Sequence, residues 1–220
     1  MKHDYQGVLK PLNTLNEHLL QVAVYNNPAP RCIVILNSDP TFLLESLEPL
    51  REYCAKHKLQ FPLLVNREFV NTSLDSYPLE FLDIVTADYS NLLAKEDLLK
   101  DLRFEASDLR LQIERELKGK WLITRLAVLE QKKKPKLLAE TLQMSIRSIM
   151  PALKGFCYLA NRPIPKNPAE IIAQAGSVAG IDMNLLNSWI TAEKADIYII
   201  KNYLEILQGL IRALDRIDND

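Results

Sequence analysis

Hydrophobic positions change their rhythm about halfway along the chain. In the first hundred residues they come as short, β-branched or leucine-rich runs broken by Pro, Asn and Asp. QVAVY (21–25), RCIVIL (31–36), QFPLLVN (60–66) and PLEFLDIV (78–85) are predicted strands. NNPAP separates the first two by so little that they are expected to pair antiparallel. Helical spacing through Leu12, Leu15 and Leu19 predicts a helix over 8–20, and Phe42 to His57 predicts another, with Ser38 and Asp39 as its caps before Pro40. REFVNTSLD (67–75) reads as a helical turn, and residues 88–102 as a short helix or two turns leaving the sheet. In the fourth predicted strand Leu79, Phe81, Asp83 and Val85 share one face, and Glu80, Leu82 and Ile84 the other.

Everything after that has a helical period. A long helix begins at a cap formed by Ser107 or Asp108 and runs to Gln131, with apolar residues at 109, 113, 117, 121, 122, 126 and 129 read as one core-facing stripe. Glu114 precedes Lys118, and Glu116 precedes Lys120, by four residues, the order that favours ion pairs on a solvated helix face. Lys132, Lys133, Lys134 and Lys136 surround Pro135, where cations suit a helix C-terminus and the proline ends the helix. A helix over 137–159 is expected to kink or break at Pro151. The proline-rich stretch 161–168 is a connection, and Asn167 caps a helix that starts at Pro168 and ends around Gly176. A turn over 182–189 leads to a last helix, 191–216, with a stripe of Ile199, Tyr203, Ile206, Leu210 and Leu214. The expected fold class is α+β, with a small mixed-sheet domain at 1–104 and an all-α helical bundle at 105–220.

Composition narrows the function without naming it. The chain has 220 residues, a net charge of −1 and 48% hydrophobic residues, ordinary values for a soluble globular protein. That charge argues against a general nucleic-acid or anionic-membrane binder. Three widely spaced cysteines, Cys32, Cys54 and Cys157, fit a reducing cytoplasm and form no zinc pattern. No apolar run approaches the roughly 18 residues of a membrane span, and MKHDYQGVLKPLN lacks the apolar centre of a signal peptide. A cytoplasmic protein is expected.

The strands QVAVY, RCIVIL, QFPLLV and PLEFLDI, followed by LRLQIERELKGK, resemble the nucleotidyltransferase superfamily, of DNA polymerase beta-like fold, in bacterial forms that carry a C-terminal helical bundle. The resemblance covers nearly the whole chain, and the last two phrases carry most of it. It implies a Gly-Ser after the first strand and a pair of magnesium-binding acids on the next. Here Asn26-Asn27 follow the first strand, Arg31 and Cys32 open the second, and no acid occurs between Glu17 and Asp39. Magnesium needs hard oxygen ligands, usually carboxylates together with phosphates. A ribonuclease of the Arg-then-His type found in bundles that accompany this family is excluded, because His3, His18 and His57 all precede the bundle.

The resemblance therefore implies a catalytically degenerate nucleotidyltransferase-like protein that acts as a nucleotide-binding, regulatory or protein-interaction module. The alternatives are an active metal-dependent enzyme that recruits Asp39, Glu80 or Asp83, with magnesium as its cofactor, and a scaffold or homo-oligomer built on the bundle. No catalytic residue, resident metal or cofactor is assigned otherwise. The candidate nucleotide-binding residues are Glu80, Asp83, Arg115 and Lys118, at the fourth predicted strand and the start of the long helix. Expected partners are a nucleotide, a protein or a second copy, and neither a membrane nor a nucleic acid.

Overall fold

A computed structural model describes residues 5–27, 29–131 and 133–217. The runs at 21–25 and 31–36 are the centres of β1 (Leu19–Asn27) and β2 (Ala29–Leu36), which pair antiparallel from Leu19 opposite Leu36 to Asn27 opposite Ala29. β3 (Leu63–Asn66) is parallel to β2, and β4 (Ser90–Ala94) is antiparallel to β1, so the sheet order is β3-β2-β1-β4. A parallel neighbour requires a crossover, and here it contains α1 (Leu43–Ser46) and α2 (Glu48–His57). Cys32, Val34 and Leu36 of β2 pack in one core with Leu50 and Cys54 of α2 and with Tyr5, Val8, Leu12 and Leu15. Ile33 and Ile35, on the other face of β2, are buried as well, which explains why this strand is continuously apolar from Cys32 to Leu36 rather than alternating.

The chain groups into two units. Residues 1–75 and 83–103 make up the sheet unit, and residues 76–82 and 104–220 the helical unit. Inside the sheet unit a polar cluster fastens β4 and the turn after it to β1. Gln21 is fully buried, and its Nε2 donates to Asn91 Oδ1 at 2.8 Å and to Asp97 Oδ1 at 2.7 Å, while its Oε1 accepts from the Leu98 N–H at 2.9 Å. Tyr89 Oη, Asn91 Nδ2 and the Leu99 N–H also donate to the Asp97 carboxylate. Burial works against the charge of Asp97, but these donors outweigh it and hold its pKa below the usual value. A second link is formed by Arg67, whose guanidinium grips the Glu96 carboxylate and donates to Asn37 Oδ1 at 3.2 Å. Arg67 opens α3 (Arg67–Thr72), which Asn66 caps by accepting from the Phe69 N–H.

Several predicted elements take another form. PLEFLDIV is not a strand but a helix, α4 (Pro78–Val85). A short apolar run fits either structure by period, and the deciding signals are Pro78 at the first position and Glu80 in the first turn. Residues 8–20 hold a 3₁₀ turn (Pro11–Leu15) in place of a helix, with buried Leu12 and Leu15 three apart, and Leu19 already belongs to β1. Ser38 and Asp39 do not cap α1, which starts later, after Phe42, without a side-chain cap bond. β4 occupies part of the stretch read as helical turns.

The helical unit is built on α5 (Ala106–Gln131). Around it stand α6 (Pro135–Ser148), α7 (Met150–Leu159), α8 (Pro168–Ala179), α9 (Leu185–Trp189) and α10 (Ile197–Ile217). The break expected at Pro151 lies at Ile149, with the proline in the first turn of α7. Asn167 caps α8 by accepting from the Ala169 N–H at 2.9 Å, and Gly180 ends it in the left-handed region at φ 68°. Leu109, Ile113, Leu117, Thr124 and Ala127 are the buried positions of α5. α5 packs on α6, α7 and α10. A Cβ on Gly155 would lie only 2.7 Å from Ile113 Cδ1 and 2.9 Å from Leu79 Cδ2, so the missing side chain is what lets α7 approach these two residues.

The lowered pKa of Asp97 sets the direction of a pH effect. A carboxyl with a folded pKa below its unfolded value near 3.9 adds stability above that value and loses it as the pH falls through the folded pKa. Asp97→Asn should therefore lower the urea midpoint at neutral pH, and its deficit from wild type should shrink towards about pH 3. A deficit of equal size at both pH values would show that the charge of Asp97 contributes nothing.

Candidate interaction surface

Each predicted nucleotide-binding residue has a defined place. Glu80 lies on α4, exposed, and its Oε2 accepts from Gln112 Nε2 at 2.7 Å. The same Gln112 accepts from the Leu79 N–H at 2.8 Å, so its amide clasps the first turn of α4. Lys118 is exposed and forms an ion pair with Glu114 one turn earlier, as the spacing predicts. Arg115 is exposed on α5. Asp83 is buried, 9% exposed, and groups with the sheet unit, whereas the other three belong to the helical unit. Among the described residues Glu80, Arg115 and Lys118 make no hydrogen bond or ion pair with one another. The strand that was expected to present Glu80 and Asp83 is a helix.

Arg31 and Cys32 stand where the resemblance calls for magnesium-binding acids. Among the described residues no three His, Cys, Asp or Glu side chains come together to hold a metal ion. At the hairpin, Cys32 is buried in the core, and burial pushes its thiol up to about 12. A cleft of about 450 Å³ in the helical unit is lined by Arg162, Ser177, Gly180 and Arg216. It lies where α7 and α8 end, and Arg216 donates to the carbonyl of Ala179 at 3.3 Å. A cation at the carbonyl end of a helix is explained by that end alone.

The long helix departs from the expected stripe in its second half. Trp121, Leu122, Leu126 and Leu129 were expected to continue the buried stripe. Trp121 is half-buried, whereas Leu122 is 56% exposed, Leu126 59% and Leu129 78%, with Ile123 beside them at 59%. The reason is phase. At about 100° per residue, the face of Leu109, Ile113 and Leu117 returns at Thr124 and Ala127, while 122, 126 and 129 fall on roughly the opposite side. The core takes the small polar Thr124 because its Oγ1 lies 3.5 Å from Ser145 Oγ, which in turn lies 2.8 Å from the Tyr203 hydroxyl. Burial pushes the pKa of Tyr203 up, so the phenol stays neutral in this chain of hydroxyls.

The ridge of leucines is bordered by cations. Lys118 and Arg125 are exposed beside it, and Arg125 lies over the Trp121 ring at 4.4 Å. Lys133, Lys134 and Lys136 are exposed just past the end of the helix. On α6, Leu137 and Met144 are exposed too, at 40% and 70%. No described helix is long and apolar enough to cross a membrane. Comparison with family models, with curated proteins and with solved structures returns no match.

The two faces of α5 should respond oppositely to truncation. Leu117→Ala removes a fully buried side chain and should cost about 2–5 kcal/mol. Leu126→Ala, on the ridge, should change stability by no more than about 0.5 kcal/mol. Chemical denaturation of both variants checks this, and a loss for Leu126→Ala as large as that for Leu117→Ala would mean that the ridge is core.

Proposed function

We propose that this chain is a non-catalytic binding module of α+β fold whose working surface is the apolar ridge of α5. The carrying observation is that Leu122, Ile123, Leu126 and Leu129 are each more than half exposed on a helix whose opposite face already supplies the core. Isolated surface leucines need no explanation, but several gathered on one stretch of helix mark an interaction site. Folding gains little from them there, so their use is sought in a partner.

This reading keeps the protein-interaction part of the degenerate nucleotidyltransferase expectation and sets aside its nucleotide part. Asn26, Arg31 and Cys32 stand at the hairpin where that family's resemblance calls for Gly-Ser and acids. Glu80 and Lys118 have partners that account for them without a ligand, Gln112 and Glu114.

Purified protein should transfer no nucleotide from any triphosphate in magnesium or manganese, and triphosphates should leave its melting temperature unchanged. A ligand present at 100 times its Kd stabilises a protein by about 2.7 kcal/mol, so binding would be readily visible. A magnesium-dependent shift, with turnover that disappears in Asp83→Ala, would replace this reading with the enzyme.

A further inference from the structure

We infer that the ridge of α5 receives an acidic amphipathic α-helix from a protein partner, an inference that rests on the docking role proposed above. In heptad terms Leu122 occupies a d position, Leu126 the next a and Leu129 the next d. This is the spacing at which one helix takes the knobs of another. Gly119 falls at the preceding a, where an added Cβ would meet nothing within 4 Å, so a partner backbone has room to approach. The ridge is therefore shaped for a helix.

The charge beside it selects which helix. Lys118 and Arg125 occupy successive g positions, the places that set partner choice in paired helices. Between residues 118 and 137 the sequence has seven Lys and Arg against one Glu, in a chain whose net charge is −1. Lys118 forms an intrahelical pair with Glu114 on the partly solvated face of the helix, which another carboxylate can replace at little cost. The Trp121 ring positions the Arg125 guanidinium beside the leucines. A helix with leucines at a and d and glutamates flanking them satisfies both the apolar row and the cations. A second copy running antiparallel would set the g cations against one another, so like-charge repulsion disfavours it.

The test is fluorescence anisotropy with the full chain and a labelled amphipathic peptide of a few heptads, with Leu at a and d and Glu at e and g. A peptide with Lys in place of each Glu and vesicles of phosphatidylglycerol are the comparison probes. The Glu peptide should bind, more weakly as salt rises, and at least about tenfold more weakly to the Lys118→Glu/Arg125→Glu variant. Leu126→Asp should abolish binding while leaving the melting temperature unchanged; if that variant fails to fold, Leu129→Asp replaces it. The acidic-helix inference is overturned by absence of Glu-peptide binding, by equal binding of both peptides, by binding to vesicles alone, or by a dimer of the full chain that hides the ridge. If the Lys peptide, the vesicles or the dimer instead proves sensitive to Leu126→Asp, the ridge remains a docking surface with another occupant. If no probe and no self-association responds to that substitution, the docking role falls as well.

Discussion

The helical unit depends on the rotational setting of α5. Leu109, Ile113 and Leu117 fix the first half of the helix by burial, and Thr124 fixes the second half through the hydroxyl chain to Ser145 and Tyr203. Buried hydroxyls are costly unless paired, and the cost is greatest where water is excluded. Turning α5 to bury Leu122 and Leu126 would withdraw Thr124 from Ser145 and expose Ile113. The leucine ridge is thus held outward by the same contacts that make the core, and it is a rigid row presented by a helix of 26 residues.

The sheet unit solves a different problem. Its fourth strand is short and none of its residues is fully buried, and such a strand is weak alone because hydrophobic burial does little to hold it. Gln21 compensates: buried in the middle of the sheet, it reaches both β4, through Asn91, and the turn beyond, through Asp97 and the Leu98 N–H. Every polar atom of this amide is used. That accounts for a glutamine at full burial, a place where side chains of its type are seldom found.

How far the sequence could be read follows from whether each signal was local. The hairpin of β1 and β2 was legible because β-branched runs flank a short proline-containing turn, and the Asn167 cap because cap, proline and first-turn acid sit side by side. α4 was misread because eight apolar-rich residues satisfy a two-residue and a 3.6-residue period about equally, and Pro78 had to break the tie. β4 left little local trace, since its partner β1 lies some seventy residues away in sequence. The ridge was legible in principle. Leu122 shares no turn with Leu117, and a strict count of phase from Leu109 would have placed Thr124, not Leu122, in the core. Leucine is the more apolar residue type, and the hydroxyl chain that rewards a threonine is a tertiary contact that one helix does not reveal.

The same locality limits what net charge says about partners. A whole-chain balance near zero averages a cationic end of α5 with acids elsewhere, and screening confines each charge's influence to about 10 Å in ordinary salt. What a partner meets is the local field over the ridge. Lys133 and Lys134, exposed just past Gln131, also carry the sign that suits the carbonyl end of a helix, so one set of charges can serve the helix and its surroundings. Their repulsion adds a further benefit: an exposed leucine row would otherwise be free to pair with its own copy, and cations on its border oppose the antiparallel arrangement of that pair. Apolar spacing thus accounts for a helix as the occupant, and the cations account for the exclusion of some helices and the choice of others.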